Sequence, residues 1–143
     1  MNLEKACAQF RSLLEEQLAR VDSMQHSPVE FSAEKTVTIG IVDGDGIGPV
    51  IMESAEAVLK RLLDSEIKAG KVILRKISGL TIEKRMEAGE SVPAAVMEQI
   101  KSCDVLLKGP TTTPMGGTME SANVTLRREL DLFANVRPVS IPG

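Results

Sequence analysis

Three short apolar runs with strand character, the β-branched TVTIGIV (36–42), then KVILRKI (71–77) and CDVLLKGP (103–110), are separated by stretches whose apolar residues recur at helical spacing. That alternation leaves few topologies. Parallel neighbours need long crossovers, and such crossovers are right-handed. The pattern therefore predicts an α/β body built on a mainly parallel sheet with flanking helices. In the first crossover, GPVIMESAEAVLKRLL places Ile51, Ala55, Val58, Leu59 and Leu62 on one helical face, with Pro49 suited to a first turn. In the second, TIEKRMEAG ends on Gly89, a suitable C-cap, and another helix runs from Pro93 to Lys101. The third strand breaks at Gly109 and Pro110, and the polar loop TTTPMGGTMES leads to a helix from about Ala122 to Leu130 and then to the extended FANVRPVSI.

Ahead of this body, Leu3, Cys7, Phe10, Leu14, Val21 and Met24 recur at alternating four- and three-residue steps, with Gln17 in the one polar slot. This is an amphipathic helix, fitted either to its own domain or to a partner helix. QHSPVEFSAEK loses the periodicity and holds Pro28, so the expected division is helix 1–25, linker 26–35 and body 36–143. A chain of 143 residues with 43% hydrophobic content has room for one core. Its net charge of −3 and three phenylalanines, with no tryptophan or tyrosine, argue against a nucleic-acid surface. No apolar run is long enough for a membrane span, and the first residues carry neither a secretory pattern nor the acid-poor pattern of a transit peptide. Cys7 and Cys103 lie far apart and outside any zinc spacing, which suits reduced thiols in a cytoplasmic compartment. Neither pairs with His26 in a way that would make it a nucleophile.

The stretch IVDGDGIGPV (41–50) joins the first strand to the first helix and invites comparison with a dinucleotide fingerprint. Gly44 and Gly46 fit G-x-G-x-x-G, but the sixth place is Pro49 and Gly48 falls one residue early. The second strand ends in Arg75 and Lys76 where a ribose-binding acid is needed, and Asp43 and Asp45 add negative charge beside the turn. A tight strand-to-helix turn explains these glycines as well as a nucleotide does.

In the third block, ESANVTLRR places Ser121 and Asn123 at the start of a helix, where free N–H groups and the positive dipole end attract an anion. Arg127 lies one turn beyond Asn123 on the same face, and Arg137 belongs to the extended segment ANVRP. Two guanidinium forks with an amide and a hydroxyl suit a small molecule bearing several carboxylates. Ser121 as a plain N-cap, with Asn123 and Arg127 on a solvated helix face, accounts equally for these nine residues. Arg128 points elsewhere, towards solvent.

Taken together, DGDGIGP, LLKGPTTTPMGG and SANVTLRRELDLFANVRP closely resemble the isocitrate/isopropylmalate dehydrogenase family of metal-dependent β-decarboxylating dehydrogenases, over residues 36–143. The resemblance implies an α/β fold distinct from the Rossmann fold, with the first glycine turn bordering the cofactor cleft. It implies substrate contacts from Ser121, Asn123, Arg127, Arg137 and Lys108, and places Thr112 and Thr113 at the nicotinamide end of an NAD or NADP site. The Ser-x-Asn pair is similar to that of the isocitrate branch, with isopropylmalate, homoisocitrate and tartrate as alternative substrates. Ser121 matches a serine phosphorylated in some bacterial relatives, although Glu120 replaces a basic residue common there.

The family reaction takes a hydride from the hydroxyl carbon and then carbon dioxide, with magnesium or manganese stabilising the enolate. Relatives supply the metal-binding aspartates, a lysine and a tyrosine from beyond the matched region, and this sequence has no tyrosine. The expectation is the N-terminal portion of an isocitrate dehydrogenase, whether a truncated product or one part of a split enzyme. It is expected to bind a tricarboxylate and to be inactive alone, with no catalytic residue or metal ligand of its own. The alternative is a non-catalytic regulatory or complementing subunit. An uncovered sheet edge or apolar face would favour a homo-oligomer or a complementing partner.

Overall fold

The computed structural model describes residues 3–23, 35–117 and 119–140. The chain divides into two units, Met1–Ser32 and Ala33–Gly143. The first holds α1 (Leu3–Ser23), a helix of 21 residues with its apolar stripe exposed. Met24 and residues 26–34 of the expected linker lie outside the described residues. Lys35, the last linker position, donates to Asp104 at 2.6 Å.

In the second unit the elements run β1 (Val37–Val42), α2 (Gly48–Leu62), α3 (Asp64–Lys68), β2 (Val72–Lys76), α4 (Ile82–Ala88), α5 (Ala94–Lys101), β3 (Val105–Lys108) and α6 (Ala122–Glu129). The sheet has the order β2-β1-β3 and is parallel throughout. Val37 lies opposite Val72, and Val42 opposite Lys108. Because the order reverses after β2, right-handed crossovers put α2 and α3 on one face and α4 and α5 on the other. The core lies on the second face, where Val42, Ile77, Leu80, Val96, Ile100 and Leu126 cluster.

The other face is thinly covered. Of α2 only Gly48 and Met52 are buried. Ile51, Ala55, Val58 and Leu62 of its apolar face are exposed and Leu59 is half-buried. The two edge strands also present Ile73 and Val105 to solvent. The short α3 escapes periodicity analysis because it is little more than one turn long. It is held by an Asp64–Lys68 ion pair at 2.7 Å and by Leu63, which ends α2 and starts α3. Residues 132–140 carry no regular element and are exposed.

Candidate functional site

Ligands of open parallel sheets settle outside the C-terminal strand ends, beside the strand where the order reverses. Here that space, between β1 and β3, is closed by backbone. Asp45 N–H donates to the Pro110 carbonyl at 2.7 Å, and Gly109 N–H to that of Val42 at 2.8 Å. Gly44 has φ +79°, and a Cβ there would overlap the Pro110 carbonyl oxygen. A Cβ at Gly109 would overlap the Asp43 carbonyl oxygen. These glycines let two loops touch, and they leave no cradle for a pyrophosphate. At the end of β2, Lys76 pairs with Asp43 at 2.6 Å and Glu56 at 2.8 Å, so that position is basic and already engaged.

The junction is fastened by two buried groups that spacing alone did not single out. Asp45, 9% exposed, accepts from the N–H groups of Ile82 and Thr112, both at 2.7 Å. Arg85 of α4 is 0% exposed. Its Nε donates to the Ser91 carbonyl at 2.7 Å and its Nη1 to that of Thr112 at 2.7 Å, while Nη2 reaches the Glu120 carbonyl at 3.5 Å. Burial lowers the Arg85 pKa, and the charge of Asp45 opposes that shift. Between them these groups hold both ends of loop 111–120 from behind.

That loop delivers the chain to α6. Ser121 takes the N-cap position with extended backbone (φ −61°, ψ 131°), and its carbonyl accepts from Val124 and Thr125 N–H at 3.0 and 3.1 Å. Its hydroxyl makes no cap bond, so the plain N-cap role is filled by backbone alone. Thr125 Oγ1 donates to Glu120 at 2.7 Å, which leaves the Ser91 hydroxyl as the donor in the 2.7 Å Ser91–Thr125 contact. At the far end Asp131 adopts φ 50°, with Asp131 N–H bonded to Arg128 O and Leu132 N–H to Arg127 O, a Schellman ending. Both ends of α6 are thereby fixed.

Asn123, Leu126, Arg127 and Leu130 follow one another at helical spacing and line a single cavity of about 520 Å³. Lys108, at the end of β3, lines it too, and Leu106 and Ile100 form part of the apolar wall. The guanidinium of Arg127 and the amide of Asn123 have no hydrogen-bond partner among the described residues. Lys108 is half-buried and donates to the Gly109 carbonyl at 2.7 Å and to Thr111 Oγ1 at 3.1 Å. Its pKa is lowered, first by burial and then by the charge of Arg85, against a raising influence from Asp45. The structure thus brings Asn123, Arg127 and Lys108 together. Ser121 and Arg137 do not line this cavity, and Arg137 stands exposed with Nε 3.4 Å from Asn135 Oδ1. Thr112 and Thr113 are exposed on the loop, with the Thr112 backbone committed to Asp45 and Arg85. Arg128 differs from the expectation of a purely solvated side chain, since it donates to both Glu120 oxygens at 3.0 Å and to Glu129 at 3.2 Å.

Residues 38–142 match the family model described as isocitrate/isopropylmalate dehydrogenase. The chain belongs to that family. It is similar to isocitrate dehydrogenase [NADP] of Caldococcus noboribetus, 44% identical over 100 residues that make up 70% of this chain and 23% of that protein. The enzyme of the same name from Staphylococcus epidermidis is 41% identical over 101 residues, 71% of this chain and 24% of its own. That from Streptococcus salivarius is 38% identical over 102 residues, 71% and 26% respectively. The chain therefore spans about a quarter of the length of these curated relatives.

Family membership raises the question of a divalent metal, and the described residues do not fit one. They bring no three His, Cys, Asp or Glu side chains together. Asp43 is held by Lys76, Asp45 by two backbone N–H groups, and Asp104 by Lys35 and the N–H of Thr38. Asp131 sits in the left-handed turn that ends α6. Asp43, Asp45 and Asp104 thus each have a structural task at a different place. Among the described residues no helix is long and apolar enough to cross a membrane.

Proposed function

We propose that this chain supplies the carboxylate-binding corner of an NADP-dependent isocitrate dehydrogenase, and that it turns over nothing on its own. The carrying observation is the Arg127 guanidinium, which has no partner among the described residues and lines one cavity with Asn123 and Lys108. A cation and an amide donor left unpaired on a fixed helix are prepared for an anion, and a second cation at the strand end extends the reach to another carboxylate. Ser121 lies two residues before Asn123 and joins them when substrate is bound, as does Arg137 once its exposed segment turns inward. The polar pair Ser121 and Asn123 favours isocitrate over isopropylmalate, because an alkyl group would leave both unpaired. That the relatives are isocitrate dehydrogenases [NADP] supports NADP as the nicotinamide cofactor, with Thr112 and Thr113 beside it.

The step chemistry requires a metal site, a base and an acid, and none of these is assigned to residues of this chain. What these residues do is bind and orient the substrate. The uncovered apolar face of α2 supports operation within an assembly, either with copies of itself or with a complementing chain. Calorimetric titration with isocitrate or citrate tests the reading. Arg127→Ala is expected to weaken binding by about 1.5 to 3 kcal/mol, roughly 10- to 150-fold, through loss of a charged hydrogen bond. Unchanged affinity in that variant would remove the substrate assignment, and isocitrate-dependent reduction of NADP by the purified chain would remove the claim of inactivity.

A further inference from the structure

The apolar stripe of helix α1 has a heptad order that specifies a pairing. Taking Leu3 as a d position, Cys7, Leu14 and Val21 fall at a, while Phe10 and Gln17 fall at d. Leu13 and Leu18 flank the seam at g and e, and Phe10, Leu13, Leu14, Leu18 and Val21 are all exposed. The acids Glu15, Glu16 and Asp22 occupy b and c, away from the seam, and Glu4 falls at e in the first turn.

From this placement we infer that α1 joins two copies of the chain as a parallel, in-register coiled coil. In that arrangement the e and g rows meet as Leu13 against Leu18 and Ala6 against Arg11, with no like charges facing across those contacts. Gln17 meets Gln17, and two amides can satisfy each other across the axis, as a single polar layer does when it sets register. The fully overlapped antiparallel arrangement is worse on both counts. It sets Arg11 against Arg11 and places Gln17 opposite Cys7. A second copy is therefore a better occupant of this stripe than an unspecified apolar surface, which would leave Gln17 without a matching amide.

Cys7 supplies the readout, because only the parallel register brings two copies of this a position within the Cα separation of about 4.4 to 6.8 Å that a disulfide needs. The test uses the full chain with Cys103→Ala, leaving Cys7 as the sole thiol. Sedimentation is expected to show a concentration-dependent dimer, and copper phenanthroline to convert it to a disulfide-linked dimer as each pair of thiols gives up two protons and two electrons to the oxidant. Phe10→Asp with Leu14→Asp should raise the dissociation constant at least about 100-fold by forcing carboxylates into the seam. Ser12→Asp, at the outward f position, should leave the dimer intact. A monomeric chain, a dimer that does not cross-link through Cys7, or a dimer that survives the double aspartate variant would each overturn the inference. Isocitrate affinity is read separately in the same variants, so failure here is distinguishable from failure of the substrate reading.

Discussion

Replacing Arg85 by methionine keeps a long flexible side chain but removes every donor that holds loop 111–120 from behind. Two of its bonds, to the Ser91 and Thr112 carbonyls, are 2.7 Å long. The two Nη2 contacts, to the Glu120 carbonyl at 3.5 Å and to Met119 Sδ at 3.8 Å, contribute little. A hydrogen bond from a charged donor is worth about 1.5 to 3 kcal/mol, so the two short ones sum to about 3 to 6 kcal/mol. Against this, the guanidinium is 0% exposed, and methionine escapes part of its burial cost. The buried Asp45 carboxylate would also lose a nearby cation, which restores part of the penalty. A net loss of about 3 to 5 kcal/mol results, a large share of the roughly 5 to 15 kcal/mol typical of a small domain. In urea unfolding followed by circular dichroism, a slope of about 1 to 3 kcal/mol per molar turns that loss into a midpoint shift of at least about 1 M. Arg85→Lys should fall between the two, because one ammonium cannot address two carbonyls in the fork geometry. A midpoint shift below about 0.3 M for Arg85→Met would refute the view that this cation fastens the loop. Hydrogen exchange at the Thr112 N–H, bonded to Asp45, should accelerate in the same variant.

Three further perturbations test the same framework. Gly44→Ala combines a left-handed backbone at φ +79° with overlap on the Pro110 carbonyl, and is expected to cost about 2 to 4 kcal/mol by urea unfolding. Gly46→Ala, left-handed but with open space around its Cβ, should cost only the conformational part, about 1 kcal/mol. Thr125→Val removes the hydroxyl linking Ser91 to Glu120 and should destabilise by about 1 to 3 kcal/mol. For pH, the Glu56 carboxyl is held below its ordinary 4.5 by hydrogen bonds from Lys60 and Lys76, and the Lys76 ammonium is raised above its ordinary 10.5 by Asp43 and Glu56. The Glu56 contribution is thus present above 4.5 and lost as pH falls through its lowered folded value, whereas that of Lys76 is present below 10.5 and lost as pH rises through its raised one. Glu56→Gln should flatten the stability profile on the acid side, and an unaltered acid limb would count against the ion-pair cluster.

What the sequence disclosed and what it withheld divide by the range of the interactions involved. The strand runs, the Gly89 cap and the face shared by Asn123 and Arg127 are set within one or two helical turns, where period and capping chemistry speak directly. Asp45 and Arg85 are different, because the contacts that define them span 67 residues to Thr112 and 27 residues to the same loop. Nothing in DGDGIGP marks Asp45 as a clasp rather than one of two acids, and Arg85 in IEKRMEA reads as a solvated charge until α4 is laid against the loop. A local signal did exist for the glycines. A third glycine out of place and a basic end to the second strand already argued that the turn serves chain packing, and the backbone contact at Pro110 is the physical form of that argument. The site is thus composed at two scales. A short helix with local order displays Asn123 and Arg127, and a long-range buried cation sets where that helix begins. A substitution that spares every cavity-lining residue but loosens Arg85 should for that reason weaken citrate binding as well as stability, while Arg127→Ala should weaken binding and leave the unfolding midpoint nearly unchanged. Equal losses of stability in the two variants would show that the display and the fastening are not separable.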